Sequence, residues 1–450
     1  MRFVPHSDDD VRAMLAAIGA ATVDDLFADI PPDVRLAARL DLPEPAAESE
    51  VTAELEALAG RDRPAAGLVS FLGGGIYDGY VPAVVGAIVG RCEFSTAYTP
   101  YQPERSQGAL QAIFEFQTAI CELTALDVSN ASLYDGATAL TEAVLLAAAH
   151  TRRQDGTAVV SGAVHPEFRQ VLATQTRGFG PRIVEVGDDG GGRTDTAALR
   201  AAVDDATAAV VLQQPSFFGG IEDMGTAAQI AHDAGALLVA VVDPLSLGVL
   251  APPGEYGADV AVGEGQSLGG AQAYGGPGFG FMSAREPLIR RMPGRIAGET
   301  VDSEGRRGFV LTLQTREQHI RRQNATSNIC SNHALNALAG LVYLSWLGRD
   351  GLSELALHLA RKAAYLRDAL LALPGVEPYT QGSVFREFAV RLPGKAGDLV
   401  TSLAARGYLA GLTLGRFRPD LDDVLLVAVS ERRTRAELDA FVAEVRDHHG

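Results

Sequence analysis

Ala258 to Met282 read ADVAVGEGQSLGGAQAYGGPGFGFM, and Ala236 to Pro244, just upstream, read ALLVAVVDP. Both contain short apolar runs with the length and composition of buried strands. The first run ends on an acid, Asp243, and the second on Gly265-Gln266-Ser267, followed by a glycine-rich turn. The run from Gly275 to Gly280, GGPGFG, lets backbone approach something closely. It lacks the GK[ST] of a phosphate loop, and it precedes a strand-like FGFMS instead of opening a helix, so it is not a dinucleotide fingerprint either.

Further apolar runs lie upstream: TAVVSG ending at Gly162, RIVEV at Val186 and AAVVLQQP at Pro215. Helical patterns from Pro166 to Arg177, Thr196 to Val203 and Asp223 to Ala234 separate them. Strands alternating with helices of this length predict an α/β domain with a mainly parallel sheet covered on both faces. Ligands of such sheets sit beyond the carboxyl ends of the strands, where Asp243 and His165 are expected. His165 is read either as a structural histidine or as one that stacks on a ring. Asp135-Gly136-Ala137-Thr138 opens a long apolar helix; its amides could receive a phosphate, and a simple N-cap explains the same residues.

A strand-end carboxylate, then a short strand, a polar residue and a glycine-rich turn, resembles the order of parts in pyridoxal-phosphate (PLP) enzymes. There the acid holds the pyridinium nitrogen and a lysine forms the Schiff base. Where that lysine is expected, this sequence has Gln266, and an amide does not condense with an aldehyde. The chain holds only two lysines, Lys362 and Lys395. A drift from lysine to arginine does not replace a catalytic amine, because a guanidinium stays protonated. Both lysines read as solvated, and a self-sufficient homodimeric PLP enzyme using one of them is the alternative.

The 450 residues favour two domains over one. A formal charge of −18 argues against nucleic acid or an anionic membrane as the main partner. Cys92, Cys121 and Cys330 form neither a metal pattern nor a disulfide framework, so no metal is expected. Cys330, in SNICSN, is read as a buried inert thiol rather than a nucleophile. No signal core or membrane-length apolar run is present, and the expected location is the cytoplasm.

Residues 1–65 read as a helical arm, with Ser7 capping a helix that carries Met14, Leu15 and Ile18, and a second helix at Val51 to Leu58. Residues 66–331 form the large domain. Within it, Tyr98 to Gly108 is a proline-interrupted loop dense in hydrogen-bonding side chains, notably Tyr98, Tyr101 and Gln102. Eight arginines between Arg290 and Arg322 are interleaved with amides and His319. That basic stretch suits an anionic ligand, an acidic partner or ion pairs between subunits. Residues 332–450 read as a smaller α+β domain: a helix from Asn332, another at Leu352 to Leu373, strands REFAVRL and LLVAVS, and a closing helix from Arg435.

Five runs, YTPYQPERSQGALQAIFEFQTAICELT, SLYDGATALTEA, GEGQSLGGAQAYGGPGFGFM, MPGRIAGET and GFVLTLQTREQHIRRQNATSNICSN, closely resemble the first subunit of the two-subunit glycine decarboxylase, the P-protein of the glycine cleavage system. The resemblance implies the aspartate-aminotransferase-like fold (fold type I) and a heterotetramer with two copies of each subunit. It implies that no cofactor is bound covalently to this chain and that PLP sits on the partner. The two subunits would decarboxylate glycine and pass the aminomethyl group to the lipoyl arm of H-protein. Gln266 is the residue usual for the first subunit. By analogy Tyr98, Tyr101, Gln102, Arg316, His319, Arg321, Arg322 and Asn328 would approach the partner's site. Asp135, Gly136, Ala137, His165, Asp243 and Gln266 would form a degenerate pocket. A purely structural or regulatory subunit is the alternative that this resemblance leaves open.

Overall fold

The computed structural model describes residues 5–36, 40–95 and 98–449, and of Tyr274 the backbone alone. The opening residues of the expected arm, 1–4, lie outside the described residues. The chain divides into two compact units, residues 1–63 and 64–450.

In the first unit, helix α1 (Asp8–Ile18) begins at a reciprocal cap. The Asp10 N–H donates to the Ser7 hydroxyl and the Ser7 N–H to the Asp10 carboxylate. Three acids in its first turn meet the positive end of the dipole, and Gly19, at φ 76°, ends it. Helix α2 (Glu48–Ala59) starts earlier than expected because the Ala47 N–H donates to Glu50, which fixes the first turn. Neither helix buries a residue.

The second unit is built on seven strands: β1 (Val128–Ser129), β2 (Thr157–Ser161), β3 (Arg182–Val186), β4 (Thr207–Gln214), β5 (Leu237–Val242), β6 (Val260–Glu264) and β7 (Gly280–Ala284). Their order is β1-β7-β6-β5-β4-β2-β3. Strands β2 to β6 are parallel, whereas β7 runs antiparallel to β6 and β1 antiparallel to β7. Helix α3 (Ala83–Val89) precedes the sheet in sequence. The covering helices are α4 (Gln107–Thr124), α5 (Gly136–Thr151), α6 (Pro166–Thr176), α7 (Thr196–Ala202) and α8 (Met224–Asp233).

Alternation along each strand serves two cores. Val239 and Val241 join Leu140, Ala143 and Val144 of α5, while Leu238, Ala240 and Val242 join Ile230 and Ala231 of α8 on the other face. Residues buried on both sides are why β4 and β5 read as continuous apolar runs.

The basic stretch forms an antiparallel hairpin, β8 (Ile296–Val301) with β9 (Arg307–Thr312). No strand was expected there, since Glu299 and Arg307 stand exposed at its turn end among further charged residues. The two expected helices are present as two segments of α9 (Ala334–Leu371), joined across a kink at Gly348, whose φ of 63° and ψ of −174° lie outside the helical region. The C-terminal sheet, β10 (Glu377–Pro378), β11 (Glu387–Arg391), β12 (Leu412–Thr413) and β13 (Val424–Ala428), has order β10-β11-β13-β12 and is fully antiparallel. It packs on α9, α10 (Ala396–Ala405) and α11 (Arg435–His449) through Phe388, Val427, Leu366, Leu399 and Phe441.

Candidate functional site

The carboxyl ends of β4, β5 and β6 meet the small domain at one point, and Gln266 lies there, 4% exposed. Its amide oxygen accepts the Tyr77 N–H at 2.9 Å, and its amide nitrogen donates to the carbonyls of Tyr77 and Gly270 at 3.1 and 2.8 Å. The side chain is therefore a two-way clip on the Tyr77 backbone, with both N–H groups and the oxygen engaged.

Asp243, at the tip of β5, receives the Arg386 guanidinium at 2.5 Å and the Leu245 N–H at 3.1 Å. Arg386 is 5% exposed and lies with its guanidinium carbon 3.3 Å from the centre of the Tyr77 ring. The Tyr77 hydroxyl donates to Glu387 at 2.5 Å, and the Gly74 N–H donates to the other oxygen of that carboxylate at 2.7 Å. Burial raises the Glu387 carboxyl above its ordinary range and pushes the Tyr77 hydroxyl higher still. A Cβ at Gly73 would stand 2.1 Å from the Glu387 carboxylate, so glycine is required at that approach.

At the start of α5 the Thr138 N–H donates to the Asp135 carboxylate, a simple cap, and the Gly136 N–H donates to Glu264 at 3.0 Å. Glu264 also accepts from the N–H groups of Gln266 and Phe279. A half-buried carboxylate thus takes a backbone donor at a helix N-terminus, the place where such sites hold an anion. Burial pushes the Glu264 carboxyl up to about 7 against the pull of its three N–H donors. Ala137 lines the cavity beside it.

His165 caps α6. Its Nδ1 accepts the Glu167 N–H, so the proton sits on Nε2, which donates to the Gly74 carbonyl at 2.7 Å. Burial holds it neutral by lowering its pKa. Its ring stacks on Phe168, with 4.8 Å between centroids. The space left among His165, Asp243, Arg386 and Glu387 is about 40 Å³. A larger hollow of about 430 Å³ opens beside it, past His333 and the 275–278 turn.

The remaining expected residues lie in other places. Tyr98 is 80% exposed, Gln102 is exposed, and the Tyr101 hydroxyl accepts from Arg295 at 3.2 Å while its ring meets His319 edge-on. Arg316 is held on the carbonyls of Leu313, Met292 and Gly294. Asn328 lines a groove of about 880 Å³ along α5, beside Glu142. Arg321 lines a hollow at the C-terminal end of that helix, and Arg322 is exposed.

Two expectations are corrected. Cys330 is exposed, because the 323–333 segment runs over the surface. Lys362 is bonded, its ammonium donating to the carbonyls of Glu431 and Arg433, since α9 packs against that loop. Arg386, Glu387, Tyr77 and Glu264 were not singled out in the sequence; the only available signal was Glu264, two positions before Gln266.

The sheet order, the strand-end aspartate and the capped turn at α5 define the class: a PLP-dependent transferase fold of the aspartate-aminotransferase type, fold type I. Solved structures of glutamate decarboxylase from Lactobacillus brevis (TM-score 0.69, 13% identity, covering 93% of this chain and 96% of that one) and of sphingosine-1-phosphate lyase from Burkholderia pseudomallei (0.65, 16%, 93% and 94%) share the fold. The profile of the family described as Glycine cleavage system P-protein matches residues 1–445. A probable glycine dehydrogenase (decarboxylating) subunit 1 from Moorella thermoacetica is 54% identical over 99% of both chains, and one from Geobacillus thermodenitrificans 49% identical over 100% of this chain and 99% of that one. A crystal structure of glycine decarboxylase (P-protein) of the glycine cleavage system, in inhibitor-bound form, superposes with a TM-score of 0.89 at 47% identity over the full length of both chains. The chain belongs to the glycine cleavage system P-protein family.

Proposed function

We propose that this chain is the non-cofactor-bearing subunit of a two-subunit glycine dehydrogenase (aminomethyl-transferring), inactive alone. With a second subunit, two copies of each, it would decarboxylate glycine and deliver the aminomethyl group to the lipoyl arm of H-protein in the cytoplasm. Residues 1–65 serve as an arm, 66–331 as the large domain and 332–450 as the C-terminal domain. Consistent with a protein that works in water, no helix among the described residues is long and apolar enough to cross a membrane.

The observation that carries this reading is the state of the pocket around Gln266. The amide that stands for the Schiff-base lysine is bonded on every polar atom, and Arg386 neutralises the aspartate that would hold a pyridinium nitrogen. Glu264 holds the helix amide that a cofactor phosphate would need. These residues do not fit PLP, which supports its placement on the partner. Lys362, held on two carbonyls, gives no support to a self-sufficient enzyme.

This chain's contribution to the partner's site would come from Tyr98, Tyr101, Gln102, Arg316, His319, Arg321, Arg322 and Asn328. Glycine-dependent exchange of carbon dioxide, assayed with each subunit alone and with the two mixed, tests the assembly: activity is expected only in the mixture. Tyr98→Phe is expected to lower turnover at least tenfold in an intact complex. A wild-type rate would leave a purely structural role for this chain.

A further inference from the structure

We propose that the hollow at the C-terminal end of α5 is a binding site for a small, multiply charged anion. The hollow measures about 560 Å³ and is lined by His150, Arg152, Arg290, Arg291, Arg316 and Arg321, with Thr315, Asn324 and Thr326 between them and no acid among the lining residues. Helix α5 has sixteen residues and so spans about 24 Å. Asp135 caps one end and Arg152 the other, which separates this hollow from the degenerate pocket.

The basic stretch divides into two kinds of arginine. Arg306 pairs with Asp302, Arg307 with Glu299 and Arg295 with Glu317, while Arg316 is held by backbone carbonyls. Arg152, Arg290, Arg291 and Arg321 have neither an ion pair nor a side-chain hydrogen bond among the described residues. Four unpaired guanidinium groups facing one concavity repel each other, in a chain whose net charge of −18 offers carboxylates almost everywhere else. The negative end of α5 amounts to about half a charge, so one arginine satisfies it and the others are in excess. Arg152 itself caps the helix at φ 60°, a conformation in which glycine is cheaper by about 1 kcal/mol, so the position keeps a cation against the backbone preference.

Guanidinium forks match carboxylate and phosphate oxygens in pairs, and the hydroxyls and amide on the rim add neutral donors. The volume falls within the range of about 300 to 1,000 Å³ typical of small-molecule sites. A phosphate ester or a polycarboxylate of metabolite size fits this chemistry. The inference is independent of the reading of Gln266.

Inorganic pyrophosphate and citrate, titrated calorimetrically into the full chain at low ionic strength with sodium chloride as the matched control, test it. Saturable one-to-one binding of one of them is expected, and the tighter of the two separates phosphate from carboxylate recognition. The double substitution Arg290→Ala with Arg291→Ala, and separately Arg152→Gln, should weaken it at least tenfold, while Arg306→Ala, which removes a paired charge, leaves it unchanged. Circular dichroism and urea unfolding check that the variants fold. Heat no greater than that of chloride, an equal loss in Arg306→Ala, or loss of binding when the second subunit is added would each overturn the proposal; the last would assign the hollow to a subunit contact.

Discussion

Arg386 and Asp243 form a buried ion pair whose other contacts are the Tyr77 ring and one backbone N–H. Removing one partner strands the other charge, which costs about 3–5 kcal/mol, whereas replacing both by apolar groups of similar volume is nearly neutral. Arg386→Ala should therefore lower unfolding stability by about that amount, and Arg386→Met combined with Asp243→Leu should recover most of it. Urea midpoints at constant m decide the matter, and a double variant as unstable as the single one would refute the pairing. The substitution of an amine by an amide at Gln266 was legible in the sequence because one letter decides whether a Schiff base forms. The residue that neutralises Asp243 was not, because Arg386 arrives from 143 positions away and nothing local in REFAVRL distinguishes it from a strand-edge arginine.

Elements with strong periodicity were legible in type and nearly so in extent. α4, α6 and the strands β4 to β6 follow from apolar spacing, and burial on both sheet faces made β5 unmistakable. The hairpin β8/β9 was hidden because its outward positions carry Arg307, Glu299 and Thr300, which read as a charged loop. The break in α9 was legible, because the first helical run ends at Gly348 in SWLG and the second resumes within a few residues. At φ 63° and ψ −174° that residue occupies a region available almost only to glycine, and a Cβ there would meet no atom within 4 Å. The cost of Gly348→Ala is thus conformational alone. It should destabilise the chain by about 1–3 kcal/mol in denaturant unfolding, while Gly351→Ala, on the same helix at an ordinary contact distance from Leu347, should be neutral or stabilising by up to about 1 kcal/mol. Equal effects would mean that the bend is not imposed by Gly348.

On the scale of the whole molecule, the first unit concentrates acidic and apolar side chains in a short stretch of sequence. Residues 1–63 hold fourteen acids against six arginines, a large part of the net −18. α1 and α2 bury nothing, and Ile18, Leu42 and Leu55 are 64%, 70% and 59% exposed. A segment without a core of its own gains stability only by covering another surface, and apolar side chains set among carboxylates suit a partner with a basic, partly apolar face. The large sheet and the C-terminal sheet each have a core of their own. Removing residues 1–63 should accordingly leave the thermal unfolding midpoint of the rest within a few degrees while weakening association with the second subunit at least tenfold. Sedimentation of mixed subunits at low and high salt measures both the loss and its electrostatic share, since screening at about 1 M shortens the reach of charge to about 3 Å. If the truncated chain associates as tightly as the whole one, the unit serves something other than assembly, and its acidity alone would not explain why the apolar residues stay exposed.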